Sequence, residues 1–321
     1  MCQIAYHASH EQFKPSELIR YAIMAEQAGF DAIHSSEHFY PWSERQGQSG
    51  FSFAWLGAAM QATTLPFGMI CTPGYRHHPA IVAQAAATLA EMFPKRFWLE
   101  LGSGEALNES ITGQPWPEKA ERNERLRECT EIIQRLLNGE TVNTQKLISV
   151  ENAKLYTLPE KPPLVVGAAL SEETAAWLGS WADGMVMTTG SVENARKILN
   201  AFRKNGGKDK PAFFKMQISY DKTEQAAMEG AYDQWRTNVF DSKVASETSS
   251  VAEFDKLGRT VDRQQIRKHV FVSSDLESHA KQIQKYMDIG FDKIVLHNVN
   301  RSQEYFIKDF GVSVLPALRS I

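Results

Sequence analysis

Cysteine is scarce here, and the little present does not pair: Cys2, Cys71 and Cys129 are odd in number and scattered without metal spacing. That excludes a disulfide-stapled secreted fold and a thiolate metal centre, and it fits a reducing compartment. No histidine pair stands at useful ligand spacing either, so no metal is expected. Long apolar runs are missing, since none approaches the ~18 residues that suggest a membrane span. Met1–Tyr6 has no basic segment followed by an apolar one, so the expectation is a cytoplasmic protein. Charge of one sign is lacking as well: 35 Lys and Arg face 38 Asp and Glu, a net of −3, with no basic stripe. Nucleic acid and anionic membrane surfaces are therefore poor partners, and a small-molecule substrate is the better expectation. No Gly/Ser/Pro-rich linker divides the chain, so residues 1–321 read as a single domain.

What is present is alternation. Short apolar runs at Gln3–Tyr6, Asp31–Ser35, Pro66–Cys71, Phe97–Leu101, Leu164–Gly167, Gly184–Met187, Ala212–Tyr220 and Lys293–His297 read as eight strands. Amphipathic helices fit between them at Ser16–Gln27, Pro79–Met92, Ala120–Leu137, Glu172–Ser180, Glu193–Arg203 and Leu276–Met287. One phrase repeats: Gln27-Ala-Gly29-Phe-Asp-Ala-Ile33 is echoed by Asp288-Ile-Gly290-Phe-Asp-Lys-Ile294, and more loosely by Trp181-Ala-Asp-Gly184-Met-Val186. Each is a helix end, a glycine suited to a left-handed cap, and a strand. Eight such units predict an α/β fold, a (β/α)₈ TIM barrel with insertions. The insertions are a small hairpin over Thr141–Tyr156 and a polar helical stretch over Thr223–Ile266.

In a barrel, the residues just past each strand's C-terminal end share one mouth, where chemistry belongs. The most pointed of these ends is Phe97–Leu101, which stops in Gly102-Ser103-Gly104 and leads directly to Glu105 and Asn108. A dinucleotide fingerprint would need a third glycine at position 107, which is Leu107. The second strand ends in Glu37-His38 with Trp42 following, and the third in Thr72 with Arg76, His77 and His78 beyond. The fifth ends in Gly167-Ala168-Ala169 and the sixth in Thr188-Thr189-Gly190. A carboxylate beside an imidazole, a second carboxylate across the mouth and small-residue turns suit a planar redox cofactor, with the histidine as general base. Each residue also has a structural reading. Glu37 and His38 suit a surface pair, Trp42 suits packing, Glu105 suits the positive end of a short helix, and His77 and His78 suit a helix start.

The runs Tyr6-His-Ala-Ser-His-Glu-Gln-Phe13, Glu37-His-Phe-Tyr-Pro-Trp42, His78-Pro-Ala-Ile-Val-Ala-Gln84 and Gly102-Ser-Gly-Glu-Ala-Leu-Asn-Glu109 shift the balance. Together they resemble the bacterial luciferase-like superfamily of flavin- and deazaflavin-dependent oxidoreductases, nearest the branch of coenzyme F420-dependent glucose-6-phosphate dehydrogenase. The resemblance implies a luciferase-like TIM barrel with the cofactor ring at the strand C-termini. It implies His38 as the base that removes a hydroxyl proton, Trp42 as a shield and Glu105 at the ring's N1 edge. Glu37, Met69, Ile70, Thr72, Glu105, Asn108, Gly167, Ala168, Ala169 and Thr189 are the expected cofactor contacts. A non-proline cis peptide near Met69-Ile70 and a homodimer are implied in the same way.

Where that branch holds a substrate phosphate with two lysines and an arginine, the register here offers Ser191, Ala245 and His269, with Lys243 within reach of the second position. A dianionic phosphate wants several charge-assisted donors, so glucose 6-phosphate is not the expected substrate. With the altered turn at Gly167-Ala168-Ala169, this favours FMN over F420. The leading expectation is therefore an FMN-dependent, luciferase-like monooxygenase or oxidoreductase acting on a small hydroxylated substrate, with a flavin reductase as partner in the oxygen-using version. An F420-dependent alcohol or sugar dehydrogenase is second, and a non-catalytic flavin-binding relative third.

Overall fold

The computed structural model describes residues 2–188 and 190–320. Its strands are β1 (Gln3–Ala8), β2 (Ala32–Ser36), β3 (Phe67–Cys71), β4 (Phe97–Leu101), β5 (Val142–Gln145), β6 (Ser149–Ala153), β7 (Leu164–Ala169), β8 (Gly184–Thr188), β9 (Ala212–Ser219), β10 (Phe271–Val272) and β11 (Lys293–Asn298). All but β5 and β6 form one sheet in the order β10-β9-β11-β1-β2-β3-β4-β7-β8. Parallel pairing of β8 with β9 then closes eight of them into a barrel, leaving the two-residue β10 outside the ring. The expected (β/α)₈ architecture is the observed one. Because the strands are parallel, their C-terminal ends open together at one mouth.

The repeated phrase has a specific cause. Asp31, Asp183 and Asp292 each precede a strand and accept the first amides of the neighbouring one: Ile4 N at 2.8 Å, Val165 N at 3.0 Å and Ala212 N at 2.8 Å. Each carboxylate satisfies an amide that the ladder leaves unpaired at the barrel's closed end. Gly29 and Gly290 stand at φ +91° and +102° after their helices, the left-handed conformation that a Cβ disfavours.

Other expectations are amended. A helix at Ser52–Ala62 and helical segments over 303–319 were not expected from periodicity. The first has apolar residues nearly all round, which blurs its period. The hairpin is present as antiparallel β5 and β6. The stretch 223–266 carries its own apolar cluster, including Met228, Trp235, Val261 and Ile266, so it is more than a polar excursion. It also grips the loop after β2: Asp255 accepts from Ser43 Oγ at 2.6 Å and from Arg45 Nη2 at 3.2 Å. The expected cis peptide in β3 is absent, as are cis bonds throughout the described residues.

Inside the barrel, Ala5, Ala32, Trp98, Val166, Val186, Phe213 and Val295 pack as one cluster. Trp98 fills the space by lying over Gly68, where an added Cβ would fall inside the indole ring. The indole is pinned, since its Nε1–H donates to Glu100 at 2.7 Å and the Lys293 ammonium sits 3.8 Å above the ring. Gly68→Ala should therefore destabilise the fold by roughly 2 kcal/mol or more, the scale of overpacking a rigid core. Adding Trp98→Leu should restore part of the loss. Urea midpoints of the two variants are the check, and an unchanged midpoint for Gly68→Ala would contradict this packing.

Candidate active site

Glu11 lies in the turn after β1 and His38 in the loop after β2, adjacent strands of the barrel. The Glu11 carboxylate is buried, and a bare buried charge is costly. It is met by Ser9 Oγ at 2.7 Å, Ser36 Oγ at 2.8 Å and His38 Nδ1 at 2.5 Å. Burial pushes its pKa up, but the His38 charge and these hydrogen bonds prevail and hold it well below the usual range. His38 answers in kind: burial pushes the imidazole down, the Glu11 carboxylate outweighs that, and the net direction is up. Its other nitrogen, Nε2, lies 3.8 Å from Glu105 Oε2. The Trp42 ring stands edge-on to the imidazole with centroids 5.6 Å apart, backed by Phe254 at 5.1 Å. Thus the structure brings His38, Trp42 and Glu105 together at the mouth. Glu11 had no role in the sequence reading, although applying the strand-end rule to β1 leads directly to it.

Asn108 ties two loops. Its Oδ1 accepts from Phe39 N at 2.8 Å and Tyr40 N at 3.0 Å, while Nδ2 reaches Glu105 Oε2 at 3.4 Å. Glu37 is taken up by protein partners: Arg76 Nη1 at 3.0 Å, Arg76 Nη2 at 2.9 Å and His77 Nε2 at 2.9 Å. The same guanidinium serves Glu109 at 3.1 Å. Burial pushes both carboxyls up. For Glu37 the hydrogen bonds from His77 and Arg76 win and bring it to about 2. Glu109 shares Arg76 and has Glu105 nearby, so burial wins and it is raised.

The remaining expected contacts divide by strand alternation. Ile70 is part-exposed and follows Gly68 on the inner face, while the Met69 side chain is buried in the outer core. Strand β7 runs on to Ala169, so Gly167 is not a turn. A Cβ there would strike Leu178, which explains that glycine by helix packing. Ala168 packs against the inner cluster, and Ala169 is buried outside it. Thr72 is nearly buried and closes on Gly104, where a Cβ would come within 2.8 Å of Thr72 Cγ2. Thr189 lies outside the described residues. Gly102 differs from the others, because a Cβ added there would meet nothing nearer than Ile70 Cδ1 at 4.0 Å. Packing does not require this glycine, so its bare backbone at a strand end fits the close approach of a flat ring, with His38 and Glu105 alongside.

Cations around the mouth are largely engaged. Arg45 pairs with Asp255 at 3.2 Å and Arg122 with Glu247 at 2.8 Å. Ser191 caps the helix Val192–Phe202, and burial, then the Lys268 charge, lowers His269. Among the described residues, no group of three or more His, Cys, Asp or Glu could hold a metal ion. No described helix is long and apolar enough to cross a membrane.

The family described as luciferase-like monooxygenase matches residues 2–293. The chain is 34% identical to the F420-dependent glucose-6-phosphate dehydrogenase of Kribbella flavida, over 99% of both chains. It is 35% identical to the same-named protein of Tsukamurella paurometabola, over 99% of this chain and 98% of that one. A solved F420-dependent secondary alcohol dehydrogenase, in complex with an F420-acetone adduct, superimposes with a TM-score of 0.92 at 26% identity, over 99% of each chain.

The Glu37 network makes a pH prediction. Unfolded, this carboxyl takes up its proton near the ordinary glutamate value of 4.5; folded, it does so only at about 2. Its stabilisation is thus complete above pH 4.5 and is lost as pH falls toward 2, an amount of about 3 kcal/mol. In urea denaturation, the stability gap between wild type and Glu37→Gln should be widest above about pH 5 and narrow on acidification. A gap independent of pH would refute it.

Proposed function

The chain belongs to the luciferase-like monooxygenase family, and from that premise we propose that it is a coenzyme F420-dependent dehydrogenase of an uncharged, hydroxylated small molecule. The observation that carries this reading is the buried Glu11–His38 pair facing Glu105 across 3.8 Å. Such a pair is built to move a proton, which mere binding of a cofactor would not require. F420 replaces FMN as the cofactor of this reading, and a flavin reductase has no part in it. The relatives that match this chain end to end at 26% to 35% identity carry F420 in their names.

A bound deazaflavin ring would supply the hydride acceptor. The protein's part is to receive the hydroxyl proton at His38 Nε2 while Glu11 holds Nδ1 and stabilises the resulting imidazolium. Glu11 raises the basicity of the imidazole, which favours proton uptake. Trp42, held by Phe254, covers the imidazole and limits water beside it. Glu105 places a second carboxylate 3.8 Å from His38 Nε2, at the edge of the reacting space.

Two features favour an uncharged substrate. Arg45, Arg76 and Arg122 are committed to carboxylates. Beside the loop that carries His38, an open cleft of about 600 Å³ is lined by Tyr40, Gln48, Ser49, Ser249 and Ser250, with Glu44 also present. Hydroxyls and amides suit a neutral alcohol or polyol, whereas a phosphate dianion would meet a carboxylate there. Turnover of uncharged secondary alcohols with F420 should exceed that of glucose 6-phosphate. A glucose 6-phosphate rate of ordinary enzymatic size, ~1–10³ s⁻¹, would overturn the substrate reading.

Two variants test the base. His38→Ala should lower the chemical step by about 10²–10⁴ while F420 still binds. In alcohol oxidation His38 must begin unprotonated, so kcat should rise with pH through a value above the ordinary 6.5. Glu11→Gln removes the charge that opposes deprotonation, so that limb should move to lower pH as kcat falls. A limb that stays in place would remove Glu11 from the mechanism.

A further inference from the structure

Below the mouth, the barrel lumen carries polar side chains where aliphatic ones usually pack. Two positions along each strand from the inner apolar cluster lie His7, His34, Glu100, Lys215 and His297. Most are tied to one another. His7 Nδ1 and His34 Nδ1 share a hydrogen bond of 2.8 Å, His34 Nε2 meets Glu100 Oε2 at 3.0 Å, and His297 Nε2 meets Gln12 Oε1 at 3.1 Å. These side chains are buried, but Lys215 is part-exposed. Its backbone is paired on both sides, with Thr188 and with Val295, so it is the side chain that solvent reaches through the mouth. Among the described residues, its ammonium has no hydrogen-bond or ion-pair partner.

The charged and titratable groups facing Lys215 are Glu11 from the turn after β1, Glu105 from the loop after β4, Glu100 on β4, His7 on β1 and His297 on β11. Burial lowers its pKa, and the three carboxylates oppose that. Burial first, and then Lys215, hold His7 and His297 well below the ordinary imidazole value, so neither supplies a competing positive charge. Among the described residues, the floor of the mouth thus presents Lys215 as an unspent cation.

We infer that Lys215 is the counter-charge for the hydride acceptor, donating to the heteroatom edge that becomes negative on reduction. This rests on the dehydrogenase reading above. In that reaction the carbinol C–H bond breaks and its hydrogen leaves with the electron pair to form a new C–H bond on the acceptor, while the O–H bond breaks, its pair closes the C=O bond and its proton goes to His38. The substrate loses two electrons and the acceptor gains them, together with one negative charge. His38 balances the proton on the substrate side. Glu11 and Glu105 have the wrong sign to stabilise the acceptor, and Arg76 is held by Glu37 and Glu109. Lys215 remains, and a charge-assisted hydrogen bond is the strong kind.

The test is equilibrium binding of oxidised and of reduced coenzyme F420 to wild type, Lys215→Met, Lys215→Gln and Lys215→Arg, each first shown to be folded by circular dichroism. Lys215→Met and Lys215→Gln should weaken binding of the reduced form by about 10-fold or more, while oxidised binding changes by less than about 3-fold. Lys215→Arg, which keeps the charge, should retain most of the preference. Equal weakening of both forms, or no change, overturns the inference and leaves the dehydrogenase reading standing. If wild type binds neither form, both fall together. Should Lys215→Met fail to fold, Lys215→Gln decides alone, because it keeps a donor and removes only the charge.

Discussion

A carboxylate withdrawn from water must be given donors or surrender its charge, and Glu11 is given Ser9, Ser36 and His38. Much of the site depends on that settlement. Ser9 and Glu11 follow β1, while Ser36 and His38 end β2, so the carboxylate ties two strand ends together at the mouth. It also fixes which imidazole nitrogen faces inward: Nδ1 is occupied by Glu11, and Nε2 is turned to Glu105. An imidazole held this way has its direction set by Glu11 and its basicity raised chiefly by Glu11, with Glu105 and Glu37 adding to it, the arrangement that general-base chemistry needs.

The same logic operates one step outward. Arg76, beyond β3, holds Glu37 from the end of β2 and Glu109 from the segment after β4. Three consecutive barrel strands are thereby joined through one guanidinium whose planar fork suits two carboxylates. Asn108 adds a neutral tie between the β2 and β4 loops. The insertion completes the frame, since Phe254 and Asp255 support Trp42 and the residues after it. Charge pairing around the mouth therefore builds the frame and also leaves few free cations for a substrate phosphate.

The barrel was legible in the sequence because apolar strands and amphipathic helices have different periods, and because the Gly-Phe-Asp phrase repeats. The amide contacts of Asp31, Asp183 and Asp292 show that the phrase recurs for a structural reason. His38, Trp42 and Glu105 were legible as strand-end residues. Glu11 follows the end of β1 and falls under the same rule, but only its burial against Ser9, Ser36 and His38 sets it apart from an ordinary polar turn residue. Glu100 was passed over inside an apolar run, although a carboxylate in a strand covered on both faces points to a polar lumen. Gly167 was read as a ligand cradle, and only the position of Leu178 shows that its bareness serves packing. Contacts across the barrel, such as His34 with Glu100, join residues 66 positions apart, and local pattern carries no trace of them.

Hydride transfer from an alcohol to a deazaflavin, with His38 taking the proton, is the claim on which the functional account stands. It is tested most directly by mixing the protein anaerobically with oxidised coenzyme F420 and a secondary alcohol deuterated at its carbinol carbon. The account predicts bleaching of the cofactor without oxygen, deuterium recovered on the reduced ring, and a slower step than with the undeuterated alcohol. Bleaching that requires oxygen, or reduced cofactor free of deuterium, would contradict it.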